Sequence, residues 1–201
     1  PSWPLDSWLC GEREQDTSLT CKALAGEGKL EFSIPGDARP GIHWLRLYNK
    51  AGTSSPRPFL VSDLPDAIEK EPNNSSNEAP HLGKPGLMIH GRLEKKGDVD
   101  SYSIDLEDGD VLVADLTANR VLASPMDGSL QIASAGGFIL AENDDDQGMD
   151  PRLIFRAPAP GRYIVRLFAF PAKPNSSIQF SGESGYIYRL ALTTGPFIEY
   201  A

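Results

Sequence analysis

Cysteine is nearly missing from this chain of 201 residues: Cys10 and Cys21 are the whole supply. Two thiols cannot build a disulfide framework, and their spacing is not the C-x-x-C of a zinc site. One bridge between them and two separate thiols both stay open, because sequence does not carry the geometry a bridge needs. Basic clusters are scarce as well. Lys95-Lys96 is the longest run, and 19 Lys+Arg stand against 28 Asp+Glu, a formal net charge of −9. Nucleic acid and anionic membrane surfaces need a basic stripe, so neither is expected as a partner. No apolar run approaches the roughly 18 residues that span a bilayer, so membrane insertion is not expected. The longest candidate, residues 135–141, is short and rich in glycine.

Catalytic patterns are missing too. Histidine occurs three times, at His43, His81 and His90. There is no H-E-x-x-H, no P-loop and no G-x-G-x-x-G, and residues 182–185 (GESG) lack the spacing of a G-x-S-x-G elbow. His43 falls inside a strand pattern and reads as structural. His81 and His90 fall near turns, with no Ser or Cys partner that any motif suggests. Carboxylates are plentiful enough for a glycosidase pair, but nothing singles one out.

What is present points to a folded β protein. Hydrophobic residues make up 40% of the chain, which argues against global disorder, and Gly (19) and Pro (17) imply many turns. Helical periodicity is almost absent, while period-2 alternation is frequent. Leu30, Phe32 and Ile34 alternate with polar neighbours. So do Tyr102, Ile104 and Leu106, and a fourth-order run at Tyr186, Tyr188, Leu190 and Leu192. Further strands are expected over residues 42–48, 59–61, 111–116, 129–133, 138–141, 153–156 and 163–168. Pro-Gly and Asp-Gly pairs separate them. Many short strands at this spacing predict an all-β sandwich. Composition shifts near residue 65, and residues 62–70 read as a linker. The expected domains are therefore 1–64, small and with room for about four strands, and 65–201.

Three passages of the second segment carry a family resemblance: residues 69–74 (EKEPNN), 97–102 (GDVDSY), and 143–150 (NDDDQGMD) followed by 161–166 (GRYIVR). In this order they resemble the bacterial pre-peptidase C-terminal domain, a jelly-roll-like β-sandwich related to the collagen-binding domain of clostridial collagenases. The resemblance covers about residues 66–195. Residues 34–41 (IPGDARPG), 43–49 (HWLRLYN) and 58–61 (PFLV) are similar to the closing half of an immunoglobulin-like domain of the IPT/TIG kind. The opening strands of such a domain are not recognisable in residues 1–16.

The acidic passages are the strongest chemical signal. Calcium takes six to eight oxygen ligands from carboxylates, amides and backbone carbonyls. Glu69, Glu71, Asn73 and Asn74 supply four oxygen side chains in six residues, and Asp98 and Asp100 add two from a turn entering a strand. The resemblance implies that these two passages jointly hold calcium, with Asn74 standing where Asp is commoner. The alternative is a solvated linker beside a polar hairpin. A second passage, Asp144, Asp145, Asp146 and Asp150 beside Asn143, does not have EF-hand spacing. It reads either as a second cation site or as an exposed turn with Asx hydrogen bonds.

The resemblance implies a non-catalytic accessory module of an exported bacterial protein, stabilised by calcium. Its location would be extracellular, at the cell surface or periplasmic. Its partners would be an extracellular polymer or protein, or neighbouring domains of a larger chain. The other readings are a fragment of a carbohydrate-active enzyme or peptidase, and a structural spacer. Tyr163, Phe168, Phe170 and Tyr186 are the aromatics considered for an exposed binding face.

Overall fold

Alternation in the sequence becomes strand in the computed structural model, which describes residues 6–10 (as backbone), 19–24, 28–171 and 179–197. Among the described residues sixteen strands occur in the order β1 (Asp6–Cys10), β2 (Thr20–Ala23), β3 (Leu30–Ser33), β4 (Gly41–Asn49), β5 (Gly52–Thr53), β6 (Arg57–Val61), β7 (Asp66–Ile68), β8 (His81–Gly83), β9 (Leu87–Arg92), β10 (Asp100–Leu106), β11 (Val111–Thr117), β12 (Met126–Ser134), β13 (Ile139–Asn143), β14 (Arg152–Arg156), β15 (Gly161–Pro171) and β16 (Ile187–Thr193). A single turn of helix, α1 (Asn119–Leu122), lies between β11 and β12. The fold is all-β, as the alternation predicts.

Packing divides the chain into two units, residues 1–63 and residues 64–201. In the first, β4 pairs with β1 along one edge and with β5 and β6 along the other, and β2 and β3 form a separate hairpin. The strand at residues 6–10 was not visible in the sequence. Phe32 and Phe59 stack with ring centroids 4.3 Å apart. His43 is buried with Nε2 3.1 Å from the Arg39 carbonyl, which suits a structural histidine. The side chain of Cys10, and with it the question of a bridge to Cys21, lies outside the described residues.

The second unit is a sandwich of two five-stranded sheets, ordered β13-β12-β15-β10-β8 and β14-β11-β16-β9-β7. All pairings are antiparallel except those of the edge strands β8 and β7, which run parallel to β10 and β9. The inner faces meet in one core. Tyr102, Ile104, Leu130, Val165 and Leu167 come from the first sheet, and Ile89, Leu112, Leu116, Leu190 and Leu192 from the second. Each such side chain contributes roughly 1.5–3 kcal/mol relative to exposure. The expected linker at 62–70 needs correction. Residues 66–68 are a strand, held because Met88 N–H donates to the Pro65 carbonyl and Glu69 N–H to the His90 carbonyl. A polar stretch reads as linker by composition, yet an edge strand needs only one partner's backbone, not an apolar face.

The second acidic passage splits. Asp144, Asp145 and Asp146 are exposed on the turn after β13. Burial, with the charges of Asp145 and Asp144, pushes the Asp127 carboxyl up. Asp150 is different: it is 1% exposed and accepts from the backbone N–H groups of Ala118 (3.2 Å), Asn119 (2.7 Å) and Arg120 (3.1 Å). These are orphan donors at the start of α1, where the capping position itself supplies no side-chain bond. A remote carboxylate therefore does the work of a cap. Asp150→Ala should cost about 2 kcal/mol in urea unfolding, since three backbone donors, that of Ala118 buried, lose their acceptor. Asp145→Ala should stay within about 0.5 kcal/mol.

Candidate metal centre

Glu69 follows β7 and Asp100 opens β10, so the two belong to opposite sheets. Glu71 comes from the segment between β7 and β8. One carboxylate oxygen from each of Glu69, Glu71 and Asp100 lies within 4.8 Å of the other two. They form the one such acidic group found among the described residues. Asp100 is fully buried and Glu69 half-buried, while Glu71 is exposed.

Backbone N–H groups bring them together, one of them local and the others across segments. Glu69 Oε2 accepts Arg92 N–H at 2.6 Å. Glu71 Oε2 accepts Asn73 N–H at 3.0 Å and the Asn74 amide at 3.2 Å. Ser101 N–H donates to the Asn73 carbonyl at 2.9 Å, which lays the 69–74 segment against the start of β10. Asn73 is fully buried. One end of its side-chain amide sits 3.2 Å from Glu71 Oε2 and 3.3 Å from Asp100 Oδ1. As NH₂ that end donates to both; as carbonyl oxygen it joins the carboxylates as a fourth ligand.

Electrostatics in this cluster are severe. Burial, then the Glu69 charge, pushes the Asp100 carboxyl up to about 9 against the pull of a Tyr188 hydrogen bond. Burial raises Glu69 as well, offset by the Arg92 N–H and reinforced by Glu71. Without a cation, a proton on Asp100 lets it donate to Glu69; a cation would remove the need for that proton. Glu69 Oε1 is buried and, with Asp100 ionised, accepts no hydrogen bond, which suits a ligand position.

Of the six residues expected to bind metal, Glu69, Glu71 and Asp100 converge, and Asn73 stands between two of them. Asn74 faces Glu71 through its amide nitrogen, a donor and not a ligand. Asp98 is fully buried, and its Oδ2 accepts Glu94 N–H at 2.5 Å to close the turn before β10, while Oδ1 has no partner. It raises the carboxyls of both Glu69 and Asp100 without joining their group. The oxygen-only donor set fits a hard cation such as calcium and lacks the imidazole and thiolate groups that zinc and copper sites favour.

Two residues of this site gave no sequence signal. Tyr188 donates to Asp100 Oδ2 at 2.5 Å, and its hydroxyl lies 2.5 Å from that of Tyr102. Gly91, directly across from Tyr188 in the β16–β9 pair, leaves the space for this: a Cβ there would sit 2.3 Å from the Tyr188 hydroxyl and 2.5 Å from Glu69 Oε2. Alternation marks Tyr188 only as a core residue, and a glycine inside a strand marks only a close approach.

His81 does have a serine neighbour. Its Nδ1 lies 3.0 Å from Ser103 Oγ and its Nε2 3.1 Å from Asp105 Oδ2. Ser103 and Asp105 are alternate residues of β10, and His81 sits on the edge strand β8, so the three form a clip fastening that edge. Ser103 is 2% exposed, which keeps a substrate carbonyl from its oxygen. A serine-directed fluorophosphonate should leave the native chain unlabelled; labelling lost in Ser103→Ala would make the clip a nucleophilic site. Of the four aromatics considered for binding, Tyr163 and Tyr186 are in the core. Phe168 is buried against Phe180, at 4.4 Å between centroids, and Phe170 is 40% exposed.

A family model, the bacterial pre-peptidase C-terminal domain, matches residues 98–169. The interval includes Asp98 and Asp100 but not residues 69–74. A probable subtilase-type serine protease of Deinococcus radiodurans is 33% identical over 107 residues, 52% of this chain and 15% of that protein. Among solved structures, the pre-peptidase C-terminal domain of a Bacillus anthracis collagenase is similar at 14% identity and a TM-score of 0.43, over 62% of this chain and all of that one. Aeromonas hydrophila PliG, a periplasmic inhibitor of g-type lysozyme, is similar at 13% identity and a TM-score of 0.37, over 64% of this chain and 99% of that one. No helix among the described residues is long and apolar enough to cross a membrane. The resemblance read from the sequence is therefore borne out where it can be matched: residues 98–169, spanning β10 to most of β15, match the family model of the bacterial pre-peptidase C-terminal domain.

Proposed function

We propose that this chain is a non-catalytic accessory module of an exported bacterial protein, and that calcium stabilises its sandwich. The observation that carries the reading is the convergence of Glu69, Glu71 and Asp100, with the buried Asn73 amide between two of them, at a junction of both sheets. The matched family is by its name a C-terminal module of peptidases, which supports an accessory role. In this reading Glu69, Glu71, Asp100 and the Asn73 carbonyl hold the ion, and Asp98 adds negative potential. The ion itself supplies charge neutralisation and no chemistry on a substrate. The first unit, with its immunoglobulin-like segment, would carry the module or add a binding face. Partners would be an extracellular polymer or protein, or the domains that adjoin it in a longer chain.

Isothermal titration of the full chain with calcium, after stripping with EGTA, tests the site. One site per chain is expected, and no heat at millimolar calcium would overturn it. Peptidase and glycosidase substrates should meanwhile show no turnover with the same preparation. Turnover that survives repurification would favour the enzyme-fragment reading instead.

A further inference from the structure

All three carboxylates of the centre are half spent. Glu69 gives Oε2 to Arg92 N–H, Glu71 gives Oε2 to Asn73 N–H and the Asn74 amide, and Asp100 gives Oδ2 to the Tyr188 hydroxyl. What is left to face a cation is one oxygen apiece. Two of these three arrangements rest on a backbone N–H, that of Arg92 at the end of β9 and that of Asn73 two residues past Glu71. The third does not. Tyr188 is a side chain of β16, in the sheet opposite Asp100, and it is 2% exposed. Its reach across the sandwich depends on the missing side chain at Gly91. A core position would be filled more cheaply by Phe, because a buried hydroxyl must find a partner. Here the partners are Asp100 and Tyr102.

Resting on the calcium reading above, we propose that Tyr188 is a positioning residue of the metal centre. It fixes the rotation of the Asp100 carboxylate so that Oδ1 faces the ion, and it ties occupancy of the site to the packing of the two sheets. The hydroxyl touches no ion itself; it acts through Asp100. Outer hydrogen bonds of this kind orient ligands, and their loss weakens metal affinity by about 10–100-fold.

Tyr188→Phe keeps the ring and removes only the hydroxyl. Its calcium dissociation constant, by titration of the full chain well below the melting temperature, should rise about 10–100-fold. Tyr163→Phe is the control. It also removes a buried phenol bond, that of Tyr163 to the Ala159 carbonyl at 2.7 Å, but far along β15 from Asp100's ligand oxygen in the register. It should lower stability and leave the dissociation constant near native. The near-ultraviolet tyrosine band should respond to calcium in the native chain and in Tyr163→Phe, and not in Tyr188→Phe. A native chain that binds calcium with Tyr188→Phe binding equally well overturns the proposal and spares the site. If Tyr188→Phe does not fold, the native band decides, because calcium binding with no tyrosine response overturns it too. A native chain that binds no calcium removes both.

Discussion

Millimolar calcium should raise the melting temperature of the full chain over that in EGTA. The stabilisation follows mass action, because the unfolded chain cannot hold Glu69, Glu71 and Asp100 together. It amounts to about 2.7 kcal/mol at a hundredfold excess over the dissociation constant. Magnesium should substitute poorly where seven or eight contacts are needed, since it demands near-ideal octahedral geometry and sheds water reluctantly. Glu71→Gln should abolish most of the shift, because it removes one of three charges that face the ion. Asp145→Asn should leave it intact, since Asp145 is exposed and outside the acidic group. Equal midpoints with and without calcium would leave only a polar hairpin beside an edge strand.

A pH series sharpens the same experiment. Asp100 is held up to about 9 by burial and by Glu69. A carboxyl raised on folding is stabilising while protonated, below its unfolded range, and that stability is lost as pH climbs through its folded value. In EGTA, stability should therefore fall between the ordinary carboxylate range and about 9, by at most about 1.4 kcal/mol per pH unit for one proton. Saturating calcium should flatten or reverse the slope, because the ion replaces the proton. The increment due to calcium then grows with pH. A melting temperature in EGTA that rises steadily over that window would show that Asp100 is ionised in the apo fold.

Strands with one wet face were legible because alternation is a direct consequence of the pleat: residues 30–33, 42–48, 111–116 and 163–168 all lie in strands, while Ile34 falls just past the end of β3. What escaped were short strands at sheet edges, of which β7 and β8 set only Ala67 and Leu82 against the core. Strands β7, β8 and β1 have no apolar rhythm, and they exist by pairing with β9, β10 and β4. The site followed the same divide. Glu69, Glu71, Asn73 and Asp100 were visible because oxygen-bearing side chains cluster in two short passages. Asp150 was grouped with its acidic neighbours by adjacency, yet burial sends it to the start of α1. Tyr188 and Gly91 escaped because their roles exist only across strands, where no local pattern reaches.

Gly91→Ala should be among the most damaging single substitutions in the sandwich. The backbone conformation there is one an alanine adopts, so the argument is about space alone. The added Cβ would lie 2.3 Å from the Tyr188 hydroxyl, 2.4 Å from its Cζ and 2.5 Å from Glu69 Oε2. Neither neighbour retreats easily. Tyr188 is a rigid ring buried in the core and tied to Asp100 and Tyr102, and Glu69 is tied to Arg92 N–H. Overfilling a packed core costs roughly 1–3 kcal/mol and occasionally more, and here the polar bonds of the centre break as well. We expect a loss of about 3 kcal/mol in urea unfolding, together with loss of the calcium-dependent rise in melting temperature. Gly137→Ala provides the contrast. It has φ of +86° and nothing within 4 Å of its would-be Cβ, so it should cost only the left-handed strain of about 1–2 kcal/mol and keep the calcium response. Native-like stability and calcium response in Gly91→Ala would mean that Tyr188 swings clear, and that the phenol is not held between the two sheets.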